Sequence, residues 1–415
     1  MKNFIICLIL PLSIFQDVAL QHFGLGVLGG SLAILPISLL VLFNFLDVKK
    51  LGTFRFSKHN LIFPALCFFV CINFYFAHKY NYVGFGENLI IKSLKMAAIY
   101  GTSIYCFYLF RSNQIRNIGL WIKGSFFLAA TGVMVDLIYH DAMIDNWWLH
   151  YTLNENAFYS DGSGGRLKGF SLESSTLGLT LLVFGLLSAM YSNNNYSKFS
   201  YVIFTVVLCY FSESKAALPL ILFSLFASVF WARSISKSSK YMMFASLSLV
   251  IYLSGNFFIE DLSTVFVQNF IYDIEQSTSV ATRGSLFLAS FASLANYPLG
   301  VGFSGYMHAI TAGLAQSSDL LSMLIAFDLN MDEIYSMTYG NSDYAISAKT
   351  LFAEGLIILG IPFLVAWFWL HLRLLAALVN KKEFLGLVLI LALSIALTLY
   401  NNGQNLYFIA AAYGL

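Results

Sequence analysis

The stretch Gly165-Arg166-Leu167-Lys168-Gly169-Phe170 sets two cations in a glycine-flanked turn, just ahead of an apolar run starting near Ser171 to Ser175. Two cations beside a helix start can hold an anion, with backbone N–H groups and the positive end of the helix dipole adding to them. Equally, the two side chains can extend to the level of lipid headgroups. Glu173 falls in the first turn of that helix, where a carboxylate suits the dipole. The sequence Asp161-Gly162-Ser163-Gly164-Gly165 supplies a flexible approach to the turn.

Further along, Thr282-Arg283-Gly284-Ser285 opens an apolar segment that ends at Pro298-Leu299-Gly300-Val301-Gly302. The guanidinium of Arg283 offers a planar fork of donors suited to phosphate oxygens. It could instead pair with Asp273 or Glu275 and hold the loop. Ser214-Lys215 sits between two apolar runs, where the ammonium either faces a polar cavity or extends toward water. Asn341-Ser342-Asp343-Tyr344 precedes a long apolar run holding Lys349 and Glu354, which are imperfectly spaced for one helix face. The aromatics Trp147, Trp148, Tyr151, Phe158 and Tyr159 suit stacking on sugar faces, and an interfacial aromatic belt explains them as well.

Other chemistries find little support. The seven histidines are scattered without H-x-x-x-H or H-x-E spacing, so no metal site is expected. There is no Walker loop and no G-x-S-x-G, and no cofactor is called for. The five cysteines all lie in apolar runs, where small packing residues are expected. Net charge is +2, so attraction to nucleic acid is not indicated.

The elements that must position these residues follow from composition. Of 415 residues, 59% are hydrophobic and 11% charged, with mean hydropathy +0.74. A soluble chain carries about 25% charged residues, so this one reads as an all-α, polytopic integral membrane protein. Apolar runs near 3–20, 24–46, 61–77, 88–110, 118–138, 175–191, 200–212, 216–232, 240–256, 346–372, 384–400 and 404–415 give about 11–12 spans. The N-terminal run lacks a small-x-small cleavage site and reads as a retained first helix.

Two long polar stretches, 139–172 and 257–344, interrupt this body. The second is long for a structureless loop, and apolar periodicity predicts helices over 279–296 and 314–329. Loops alternate in charge: Lys49, Lys50, Arg55 and Lys58 on one side, then Arg111, Arg116, Arg233, Lys381 and Lys382 on that same side. The opposite loops hold most of the acids, which predicts a cytoplasmic N-terminus and both insertions outside.

In this order of elements the chain resembles the bacterial O-antigen polymerase and ligase superfamily of membrane glycosyltransferases. The matching pieces are Arg166 to Phe170 with Glu173, Ser214-Lys215, Arg283 ahead of Pro298 to Gly302, and Asn341 to Tyr344 before Glu354-Gly355-Leu356. The resemblance implies a GT-C-like membrane fold in the bacterial inner membrane, with 139–172 and 257–344 as periplasmic loops. It implies a metal-independent polymerase that joins undecaprenyl-pyrophosphate-linked repeat units; the alternatives are a ligase and a lipid-linked oligosaccharide flippase.

In that frame Arg166, Lys168, Lys215 and Arg283 would bind the pyrophosphate. Glu173 or Asp343 would take the hydroxyl proton, and Trp147, Tyr159 and Asn341 would contact sugar. Membrane lipid and a chain-length regulator are the further partners implied. Two departures bear on the choice. Family members often carry Arg where this chain has Lys215, and ligases carry a His near the positions of Asn341 and Asp343. The second departure favours polymerase over ligase.

Overall fold

In a computed structural model, the described residues are 2–16, 30–46, 62–81, 83–84, 87–144, 167, 169–171, 174–212, 217–231, 237–238, 240–241, 278–324, 332, 334–335, 349–399, 401 and 407–415. Helix dominates them. The N-terminal part comprises α1 (Lys2–Leu12), α2 (Ile34–Leu46), α3 (Ile62–Lys79), α4 (Leu89–Ser112) and α5 (Ile118–Ile144). Then come α6 (Ser174–Met190), α7 (Asn195–Phe211), α8 (Ala217–Trp231), α9 (Thr278–Asn296) and α10 (Gly302–Leu324). The C-terminal part holds α11 (Leu351–Leu359), α12 (Ile361–Lys381), α13 (Phe384–Leu399) and α14 (Tyr407–Gly414). The strand content among the described residues is one antiparallel pair, β1 (Val83–Gly84) with β2 (Glu87–Asn88), joining α3 to α4.

α6 is the centre of the larger core. It is apolar all round, and its side chains from Thr176 to Ala189 are buried, as expected of a helix with no polar face. α5, α7, α8, α13 and α14 pack on it. Close approach is built from small residues: a Cβ on Gly185 would lie 1.8 Å from Thr205 Oγ1 on α7. A second core gathers α9, α10 and α11 against Phe76 of α3.

Two helices among the described residues, Ile118–Ile138 within α5 and Ile361–Lys381, are long and apolar enough to cross a membrane. α12 turns its apolar side chains outward: Val365 is 63% exposed and Leu372 61%. Such a face is costly in water and costs nothing in hydrocarbon.

Three expectations need correction. The run 346–372 is not one helix, because Gly360, at φ +63°, breaks it into α11 and α12, with Pro362 following the break. The second helix of the long insertion starts at Gly302, not near 314, because capping from another helix fixes its start. Cys67 and Cys71 lie on the exposed face of α3 and not in a core.

Candidate functional site

Of the residues expected to do chemistry, the described structure includes Arg283. Glu173, Asp343, Arg166, Lys168, Lys215, Trp147, Tyr159 and Asn341 lie outside the described residues, as do Asp273 and Glu275. Arg283 stands in the second turn of α9, not at its mouth, because the helix already begins at Thr278. It is half-buried, between Thr282 and Ser285, which are both buried, and pairs with no carboxylate among the described residues.

α9 and α10 form a tight antiparallel hairpin. A Cβ on Gly313 would sit 2.7 Å from the carbonyl oxygen of Ala289, so the two backbones nearly touch. Ser317 Oγ donates to the Ser285 carbonyl at 3.1 Å, fastening the hairpin two residues from Arg283.

The tip of the hairpin, Pro298 to Gly302, docks on the break between α11 and α12. Val301 N–H donates to the Ile357 carbonyl at 3.0 Å, and Ile361 N–H donates to the Pro298 carbonyl at 2.8 Å. Groups freed by the broken helix are therefore satisfied by the tip, as burial demands. Asn73 of α3 completes the joint: its Oδ1 accepts from Phe303 N–H at 2.8 Å and from Ser304 N–H at 3.1 Å. It caps α10 from another helix. Glu354 lies buried in α11 and accepts from Tyr100 of α4, whose ring stacks on Phe303 at 5.6 Å.

Beside this joint stands a cationic and aromatic cluster. Lys79 Nζ lies 5.6 Å from the rings of Phe76 and Tyr80 and 5.8 Å from that of Tyr297. His308 of α10 stacks on Tyr80 with centroids 3.6 Å apart. Burial, and then the Lys79 charge, hold the His308 imidazole below its ordinary value.

The cationic turn is described through Leu167, Gly169, Phe170 and Ser171. Gly169, at φ +56°, donates its N–H to Asp136 Oδ2 at 2.9 Å, and Asp136 is fully buried in α5. The Phe170 carbonyl accepts from Gln16 N–H at 3.0 Å, and the Phe170 ring packs on Phe15 at 5.0 Å. Gly132, one turn before Asp136, makes the notch for that ring: a Cβ there would lie 2.7 Å from Phe170 Cδ2. The turn thus sits on α5 and on the segment after α1. One expectation changes as a result. Gly169 N–H is committed to Asp136, so it is not a donor for an anion.

Sequence reasoning passed over Asp136, Gly132, Asn73 and Tyr100. Asp136 had a signal: it is the one acid within the apolar run 118–138. Among the described residues, no group of three or more His, Cys, Asp or Glu is arranged to hold a metal. An open groove of about 670 Å³ between α5 and α7 is lined by Phe127, Tyr201 and Phe204. Phe127 stands nine positions before Asp136, about two and a half turns, so the groove opens on the face of α5 opposite the cationic turn.

No family profile matches the chain, and no solved structure matches it. Over 387 residues the chain is 27% identical to an uncharacterised 49.5 kDa protein in the cps region of Klebsiella pneumoniae. The match covers 92% of this chain and 81% of that relative.

Proposed function

We propose that the chain is a surface-polysaccharide polymerase that joins undecaprenyl-diphosphate-linked repeat units on the outer side of the bacterial inner membrane. The observation that carries this reading is the similarity, along nearly the whole chain, to a protein of a capsule polysaccharide region. The helical architecture, with apolar faces turned outward, supports a lipid-linked substrate.

The reaction is a glycosyl transfer. A sugar hydroxyl oxygen of one repeat unit forms a bond to the anomeric carbon of another, while the bond from that carbon to the diphosphate oxygen breaks. Undecaprenyl diphosphate departs with the bonding pair, and the hydroxyl proton passes to a carboxylate. The diphosphate is already a good leaving group, so the protein has to supply cations where negative charge grows and an acceptor for the proton. Arg166, Lys168, Lys215 and Arg283 fill the first role; Glu173 or Asp343 fills the second. Trp147, Tyr159 and Asn341 hold sugar, and no metal enters the scheme.

Deleting the gene tests this reading against its rivals. A polymerase deletion leaves surface lipid bearing a single repeat unit. Lipid-linked polymer left unattached to its acceptor would instead indicate a ligase, and repeat units trapped inside the cell a flippase.

A further inference from the structure

We infer that Asp136 is a positioning residue for the diphosphate site, acting through the turn 167–171. The inference rests on the donor-binding role proposed above for Arg166 and Lys168.

A carboxylate inside an apolar helix is costly unless its oxygens are hydrogen-bonded. Asp136 is fully buried, and one of the groups it accepts from is the Gly169 N–H, 33 positions away in sequence. Gly169, at φ +56°, stands in the turn ahead of α6, and its amide donates to the Asp136 carboxylate. Buried and unpaired it would be destabilising. Acid and glycine therefore answer each other's need.

The remaining contacts converge on the four described residues there, Leu167, Gly169, Phe170 and Ser171. Leu167 and Ser171 are buried at either end, Gln16 N–H holds the Phe170 carbonyl, and the Phe170 ring fills the Gly132 notch. Gly169 and Phe170 are thus fixed to α5 and to the segment after α1, and Leu167 is buried beside them. A turn ordered before the ligand arrives spares the ligand that ordering cost.

Asp136 also acts in the opposite direction. Its negative charge lies within hydrogen-bonding reach of the turn, where it repels an incoming diphosphate. Positioning and repulsion predict opposite results, and that separates them.

The full-length chain in lipid nanodiscs is titrated with inorganic pyrophosphate by calorimetry, comparing wild type with Asp136→Asn, Asp136→Ala and Arg166→Ala. Asn keeps an oxygen that accepts the Gly169 N–H; Ala does not. Positioning predicts that Asp136→Ala weakens binding by about tenfold or more, while Asp136→Asn stays within about threefold of wild type. Thermal unfolding confirms that the compared samples are folded. Asp136→Asn binding pyrophosphate more than about threefold tighter would overturn the inference whether or not Asp136→Ala folds, because repulsion would then dominate. Asp136→Ala binding like wild type, while Arg166→Ala has lost binding, would overturn it too. If Arg166→Ala binds like wild type, the proposed diphosphate site itself fails, and this inference fails with it.

Discussion

The Tyr100 hydroxyl donates to Glu354 Oε2 at 2.5 Å, tying a buried acid of α11 to α4 across 254 positions of sequence. The Tyr100 ring also stacks on Phe303, so the same phenol braces the start of α10. Acid, phenol and hairpin tip form one joint. Tyr100→Phe removes the donor but keeps the ring, leaving the carboxylate one partner short. Leaving a buried acceptor without one of its donors costs about 1–3 kcal/mol, and that is the expected loss of stability. Glu354→Gln still offers an oxygen to Tyr100 and should lose less. Denaturant unfolding of the purified chain checks both; equal stability of Tyr100→Phe and wild type would show that the bond contributes nothing.

The tip and the helix break approach each other backbone to backbone. A Cβ on Gly360 would lie 2.3 Å from the Pro298 carbonyl oxygen, and one on Gly300 would lie 2.3 Å from that of Ile358. Both glycines have positive φ, so alanine also meets backbone strain of about 1–3 kcal/mol. The Pro298 carbonyl cannot move without loosening its bond from Ile361 N–H. Gly300→Ala and Gly360→Ala should each sharply reduce recovery of folded protein by size-exclusion chromatography. Gly101→Ala, which has nothing within 4 Å of the added carbon, should recover like wild type.

What the sequence made legible was whatever depends on local pattern. The run 384–400 became α13, 175–191 became α6, and 279–296 became α9, each within a residue or so, because long apolar periodicity is decided by neighbours in the chain. What was hidden depends on contacts between distant residues. Gly360 breaks a helix that its local apolar run favours, and the break persists because Pro298 and Val301, about 60 positions earlier, bond to the freed groups. Asn73 caps α10 from 230 positions away, so no nearby cap residue marks the start of that helix. The cationic turn was found by its residue types. Asp136, which holds it, stands 33 positions earlier in an apolar run and showed only as a lone acid.

Stability should depend on pH through His308. Its imidazole is held below the ordinary value of 6.5 by burial and by the Lys79 charge. In the unfolded chain the ring takes a proton as pH falls through 6.5; in the folded chain it resists until lower pH. Between the two values the unfolded state binds more protons, so stability is full above 6.5 and declines as pH falls toward the folded value. His308→Phe keeps a ring against Tyr80 but cannot titrate. Melting temperatures measured across this range should fall less steeply for His308→Phe than for wild type. Parallel curves would remove His308 as the titrating group.

Arg283 offers the sharpest functional prediction among the described residues. Its side chain is half-buried in the second turn of α9 and pairs with no carboxylate among the described residues, so removing it breaks no described ion pair. Arg283→Ala should therefore leave protein abundance near wild type while abolishing chain elongation, because it removes a cation proposed to meet the departing diphosphate. Lysine keeps the charge but loses the fork of donors, so Arg283→Lys should give shorter chains and not none. The same argument makes Arg166→Lys poorly tolerated if its contact with phosphate is bidentate. Gel profiles of surface polysaccharide, read beside immunoblots of the protein, measure both quantities in one strain. Wild-type polymer lengths in Arg283→Ala, at wild-type abundance, would take Arg283 out of the proposed mechanism and leave its role to the other proposed cations, Arg166, Lys168 and Lys215.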